Sequence, residues 1–224
     1  MWVPIIQARE AIMALTPQHR EAERHRIARM VLDLVKQRGT EIPYQTAVAE
    51  SGLTRARFEQ LFEDYDDLFD AIAQIWLGRH IEVMETVLTA DLPPPRKMYE
   101  FFRRRFVISR DRFREDPEYF RIVCEMGAAN FEKVRSYVDL ADHYLCELIV
   151  QAQADGYFAG LSIDETLSLI NQMVSPYTMP ESLIYLGDKL TEEKLARIVD
   201  TMFIGLSGET GGGARGVNTL RVAS

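Results

Sequence analysis

Cysteine is scarce in this chain: only Cys124 and Cys146 occur, both inside apolar segments, which excludes a disulfide framework and reads as two core thiols in a reducing compartment. Glycine and proline are thin as well. With 13 and 9 copies in 224 residues they punctuate the sequence at wide intervals, too sparsely for the turn-rich pattern of many short strands. Long apolar runs are missing. None approaches the roughly 18 residues a membrane helix needs, and Arg9 and Glu10 stand where a signal peptide would be apolar, which places the protein in the cytoplasm and off the membrane. An excess of positive charge is missing too: 26 Lys/Arg face 34 Asp/Glu, a net −8, so any contact with nucleic acid must come from a local patch. Catalytic motifs are absent from the text of the chain. There is no glycine-rich phosphate loop, no zinc-spaced Cys/His set and no serine elbow, and His19, His25, His80 and His143 form no constellation. No catalytic, metal or cofactor residue is therefore expected.

What is present is enough apolar surface, 47% of residues, for a sizeable core, with apolar positions recurring every three or four residues instead of alternating. The expectation is an all-α fold. A first clear helix carries Ile27, Val31, Leu34 and Val35 on one face, ends in Lys36 and Arg38, and stops at Gly39, which suits a left-handed cap. Ahead of it, residues 1–19 hold Ile5, Ile6, Ile12 and Leu15 and could form a further short helix. A short helix follows Pro43, Gly52 breaks it, and Thr54 is placed to cap the next. Asp64 can cap a long fourth helix through Leu68, Phe69, Ile72, Ile75, Trp76, Val83, Met84 and Val87, ended by Pro93-Pro94-Pro95. Later helices are expected near 96–115, 118–133, 134–155, 163–179 and 191–206, with the stretch from Pro180 to Gly187 as a separator. Residues 207–224, with Gly211-Gly212-Gly213, have too little apolar content to pack and read as a flexible tail.

Val48-Ala49-Glu50-Ser51-Gly52-Leu53, followed by a helix opening at Thr54 with Phe58 and Phe62, is the layout of a helix-turn-helix. Small Ala49 would allow close helix approach, Gly52 the turn, and Val48, Leu53, Phe58 and Phe62 a small core that holds the recognition helix at its angle. With Gly39 preceding Val48-Ala49 and Leu68 following Phe62 at family intervals, the stretch from about Arg24 to Ile72 resembles the TetR family. The resemblance continues in Asp155-Gly156-Tyr157-Phe158, similar to the family's glycine-aromatic turn, and in the closing helix from Thr191 to Leu206.

The resemblance implies an amino-terminal three-helix helix-turn-helix head, residues 20–70, a helical-bundle body for ligand binding and dimerisation, 71–206, and the tail. It implies a dimeric regulator, a repressor, whose two recognition helices lie roughly 34–36 Å apart on palindromic double-stranded DNA. Residues able to reach bases or phosphates are Arg24, Arg26, Tyr44, Gln45, Thr54, Arg55, Arg57, Gln60 and Tyr65. The departures are electrostatic. Where the family commonly keeps Tyr, then His and Phe two and three residues on, this chain has Glu59, Leu61 and Phe62, and Tyr65 replaces the usual Lys. Residues 20–70 hold eight Lys/Arg against eleven Asp/Glu, a net −3. Glu59, Glu63, Asp64, Asp66 and Asp67 read either as a solvated face with acids favoured at a helix amino end, or as a head drifted toward weak DNA binding or a protein partner.

In the body, the family implies a cavity for an unidentified small-molecule effector, with Trp76, Met84, Tyr99, Phe102, Phe106, Met126, Phe131 and Tyr144 as lining candidates; the same stripes also read as plain core. Residues 96–114 carry eight Lys/Arg against two acids, a net +6, the strongest charge asymmetry of the chain. That run is a solvated helical face, a site for an anionic ligand such as an acyl thioester of coenzyme A, or a protein contact. Ile170, Met173, Leu195, Ile198, Val199 and Met202, on the two helices that resemble the family's dimer pair, are the interface candidates of a homodimer. A TetR-like protein acting mainly through protein contacts is the alternative function.

Overall fold

A computed structural model describes residues 16–208. They form ten α-helices and one 3₁₀ turn, with no strand among the described residues. The chain divides after Gly78 into two compact units. The first contains α1 (Pro17–Arg38), α2 (Tyr44–Glu50), α3 (Arg55–Glu59) and the start of α4 (Tyr65–Leu88).

α1 begins earlier than its apolar pattern suggests, because Thr16 accepts a hydrogen bond from the His19 N–H and Pro17 supplies a pre-set first turn. It ends where Gly39 turns left-handed, φ 68°, and its N–H closes on the Val35 carbonyl. The buried face is Ile27, Ala28, Val31, Leu32 and Val35; Leu34, expected on it, is only half-buried, since 28, 31, 32 and 35 keep the helical period and 34 does not. Around that stripe the first core closes with Ile42, Ala47, Phe58, Leu61, Phe62 and Leu68. Ala49 is exposed, and the small residue at the close approach is Ala47, which is wholly buried. Val48 and Leu53 are half-buried on its margin.

The second unit holds the rest of α4, then α5 (Pro94–Glu115), α6 (Pro117–Ala129), α7 (Phe131–Ala154), α8 (Ile163–Thr178), α9 (Glu181–Leu186), the 3₁₀ turn Gly187–Lys189 and α10 (Glu192–Leu206). The stretch expected to be a mere separator thus contains α9. Asp116 accepts from the Tyr119 N–H and starts α6; Ser162 and Glu165 form a capping box on α8; Thr191 accepts from Lys194 and opens α10. α5 packs against α7, α8 and α10 and buries Met98, Phe101, Phe102 and Phe106 at the centre of this unit. The glycine-aromatic turn has a packing role: Gly156 (φ 89°) reverses the chain so that Tyr157 and Phe158 set their rings 5.0 and 4.8 Å from that of Phe203 on α10. Ser207, assigned to the tail, accepts a hydrogen bond from the Phe158 N–H at 3.2 Å. The proposed leader helix at Ile5, Ile6, Ile12 and Leu15, and the tail from residue 209, lie outside the described residues.

Candidate functional site

The first unit is a helix-turn-helix in local geometry. Gly52 adopts φ 71°, a conformation that suits glycine, and Ser51 ties the turn by donating to the Val48 carbonyl at 2.7 Å and accepting from the Leu53 N–H at 3.1 Å. Thr54 then caps α3 by accepting from the Arg57 N–H at 3.3 Å. Phe58, wholly buried, anchors α3, with Tyr44 edge-on at 5.3 Å and Phe62 at 5.2 Å. On the outer side, Thr54, Arg55 and Gln60 are exposed and Arg57 is half-buried; Gln45 on α2 is exposed.

The other nominated DNA contacts carry internal bonds. Arg24 forks onto Asp67, at 2.5 and 2.9 Å, donates to the Leu61 carbonyl, and lies 4.6 Å over the Phe62 ring. This bidentate pair raises the Arg24 pKa and holds the Asp67 carboxyl below its ordinary range. Arg26 pairs with Glu23 at 2.8 Å and reaches the Ser51 carbonyl at 3.4 Å. The Tyr44 hydroxyl donates to the Phe62 carbonyl at 2.9 Å, and the Tyr65 hydroxyl donates to Glu41; burial first, then that carboxylate, push the Tyr65 pKa up. On α3 itself Arg55 pairs with Glu59 at 2.7 Å and Arg57 donates to Gln60 at 2.9 Å. Glu59, read from the sequence as a repulsive charge, therefore also occupies a neighbouring cation.

In the second unit the lining candidates do not converge. Met84, Phe102, Phe106 and Met126 are buried core, with Phe106 edge-on to Tyr177 at 5.1 Å. Tyr99 lies under Arg96, Tyr144 donates to Glu85 at 2.9 Å, and Phe131 is 52% exposed at the start of α7. Trp76 belongs to the first unit. A groove of about 320 Å³ is lined instead by Leu92, Pro94, Lys97, Leu148, Gln151 and Asp155, none of them nominated. Its Lys97 ammonium donates to the Leu88 carbonyl at 3.2 Å and to Gln151 at 2.8 Å. Their helical spacing is that of any packed stripe, so nothing in the sequence distinguished these groove residues.

The dimer candidates divide by burial. Ile170, Leu195, Val199 and Met202 are buried inside the chain's own core, against α5 and its neighbours, and are not available to a partner; Met173 and Ile198 are half-buried. The apolar side chains exposed on α8 and α10 are Leu169, at 37%, and Ile204, at 80%. An amphipathic helix shows its strongest apolar stripe to its own core, which is why the sequence pattern selected those four residues.

The basic run on α5 is largely neutralised. Arg96, Arg103 and Arg104 surround the buried Glu100 carboxylate at 2.6, 3.3 and 3.0 Å; Arg103 and Arg110 also hold Glu192 on α10 at 2.7 and 2.8 Å; Arg114 pairs with Asp188 at 3.1 Å. Cys124 is a core thiol whose pKa burial raises to about 12, whereas Cys146, also expected in the core, is only half-buried, its pKa raised by burial too. Among the described residues no cluster of His, Cys, Asp or Glu could hold a metal ion, and no helix is long and apolar enough to cross a membrane.

A glycine-broken helix pair in one unit is followed in the chain by an all-helical bundle in the next. Residues 94–199, from the start of α5 into α10, match the family described as tetracyclin repressor-like, C-terminal domain. Among curated proteins none matches the chain.

Proposed function

We propose that this protein is a dimeric DNA-binding regulator, a repressor, whose hold on a palindromic operator is modulated by a small ligand in the body. The observation that carries this reading is the head geometry: the Gly52 turn, the Thr54 cap and the buried Phe58 present Thr54, Arg55, Arg57 and Gln60 on one short helix, ahead of a TetR-type C-terminal domain. Residues 20–70 are the DNA-binding head and 71–206 the ligand-binding and dimerisation body. Base contacts fall to Arg55, Arg57 and Gln60, with Gln45 and Thr54 beside them. Arg24, Tyr44 and Tyr65 act as braces, because their polar groups already serve Asp67, Phe62 and Glu41. Partners meet through the outer faces of α8 and α10.

Titrating labelled genomic fragments with the full chain at two salt concentrations tests the proposal. Specific binding with a steep salt slope is expected. A specific observation favours one rival: the head is net −3, and Arg24, Arg26, Arg38 and Arg55 pair with neighbouring acids. If no fragment binds even at low salt, the protein acts through protein contacts.

A further inference from the structure

Six of the eight cations of α5 meet acceptors on neighbouring groups. Arg96, Arg103, Arg104, Arg110 and Arg114 meet carboxylates, and Lys97 meets an amide and a carbonyl. Arg105 meets neither. Its Nε is buried without a hydrogen-bond partner, its Nη2 donates only to the Tyr137 hydroxyl at 3.2 Å, and its guanidinium lies 5.2 Å from the Phe101 ring and 5.8 Å from the Tyr137 ring. Ser109 and Arg112 follow at the i+4 and i+7 positions, on the same face of α5. Ser109 sits 3.1 Å from the Nε2 of His80, which is buried and edge-on to the same Tyr137 at 6.4 Å. Burial, and after it the charge of Arg79, lower the Arg112 pKa, with Tyr119 and Tyr137 acting against them.

A guanidinium N–H shut off from water without an acceptor carries a cost that an added acceptor would remove. The rings around Arg105 contribute only a weak attraction, and its fork geometry suits a carboxylate or phosphate. We propose that Arg105, backed by Arg112 and His80 around Tyr137, receives the carboxylate or phosphate of a small anionic effector whose apolar remainder lies against the half-buried Tyr137 ring. This rests on the ligand-sensing reading of the body and adds the chemical class of the ligand. The groove at Lys97 is the poorer anion site, since its ammonium already donates twice within the chain and Asp155 lines it.

Calorimetric titration of the full-length protein with octanoate, octyl phosphate and 1-octanol tests the idea. At least one anion should bind at least tenfold more tightly than the alcohol, and the tighter anion identifies the headgroup. Arg105→Met should weaken that anion roughly 10- to 100-fold, the loss of a charge-assisted contact. Arg112→Met should weaken it too, Arg105→Lys should fall between, and Lys97→Met should bind as the parent does, with circular dichroism verifying each fold. Equal binding of alcohol and anions, unaffected by Arg105→Met, overturns the proposal yet leaves a ligand-sensing body standing. Silence toward all three overturns it as well, and the broader reading is then judged separately, by whether a small-molecule cell extract releases the protein from DNA. Should Arg105→Met not fold, an unchanged affinity in Arg105→Lys and Arg112→Met together would count against the site.

Discussion

Arg24 and Asp67 show how a residue's task depends on its surroundings. A basic residue on the first helix of a helix-turn-helix invites a phosphate contact, yet this one is folded over Phe62 and bonded to the first turn of α4. Because the Asp67 pKa is lowered chiefly by the Arg24 hydrogen bond, its stabilisation is fully present above the unfolded value near pH 4 and is lost as pH falls through the lower folded value. Asp67→Asn should therefore cost about 1–2 kcal/mol at pH 7, and the gap from the parent should close toward pH 3, read by urea denaturation of the full chain. The exposed pair of Arg55 and Glu59 behaves differently, since it can open at little cost when DNA arrives. Glu59→Tyr removes a repulsive charge and frees Arg55, so operator affinity should rise. Arg57→Ala should lower it, by about 1–3 kcal/mol if the side chain reads a guanine, with weaker sequence discrimination; a phosphate contact would instead reduce the salt slope by about one unit. Unchanged affinity and slope in both variants would remove α3 as the reading element.

Helix ends and turns carry much of the specification at the next scale. Gly52 holds φ 71° with open space where a Cβ would stand, so Gly52→Ala meets no clash and its cost is purely conformational. We expect about 1–2 kcal/mol by thermal or chemical denaturation, and less for Gly52→Asn, because asparagine tolerates the left-handed region. α5 and α10 are joined by charge as well as packing: Glu192 bridges Arg103 and Arg110 at the first turn of α10, where an acid also suits the helix dipole. Glu192→Gln should loosen that helix by about 1 kcal/mol, seen as faster amide exchange through α10 while the head remains unaffected.

For the whole molecule, the distinction between a chain's own core and a partner's surface becomes measurable. Leu195 is wholly buried and Ile204 is 80% exposed, although both are apolar residues of α10. Leu195→Asp should unfold the body, as an unpaired charge enters a dry interior. Ile204→Asp should leave the helical spectrum intact and turn a dimer into a monomer by light scattering at micromolar concentration. A dimer mass for folded Ile204→Asp would move the interface away from α10.

Much of the fold was legible in the chain itself. The three-to-four-residue apolar period, Gly39 and Gly52 at turns, Thr54 at a cap and the prolines that open α5 are local signals with local physical causes, and they sufficed for helices in the right order. Leu34 in place of Leu32, Ala49 in place of Ala47 and the missed α9 show the limit of such patterns, which here miss a buried position by two residues. Side-chain partnership was not legible. Arg24 and Asp67 lie 43 positions apart, and Arg110 and Glu192 lie 82 apart, so only folding decides that these charges meet one another. The same reason applies to Arg105: its sequence neighbours Arg103 and Arg104 look identical to it, and only the tertiary packing turns it toward Tyr137 and away from every acid that neutralises the others.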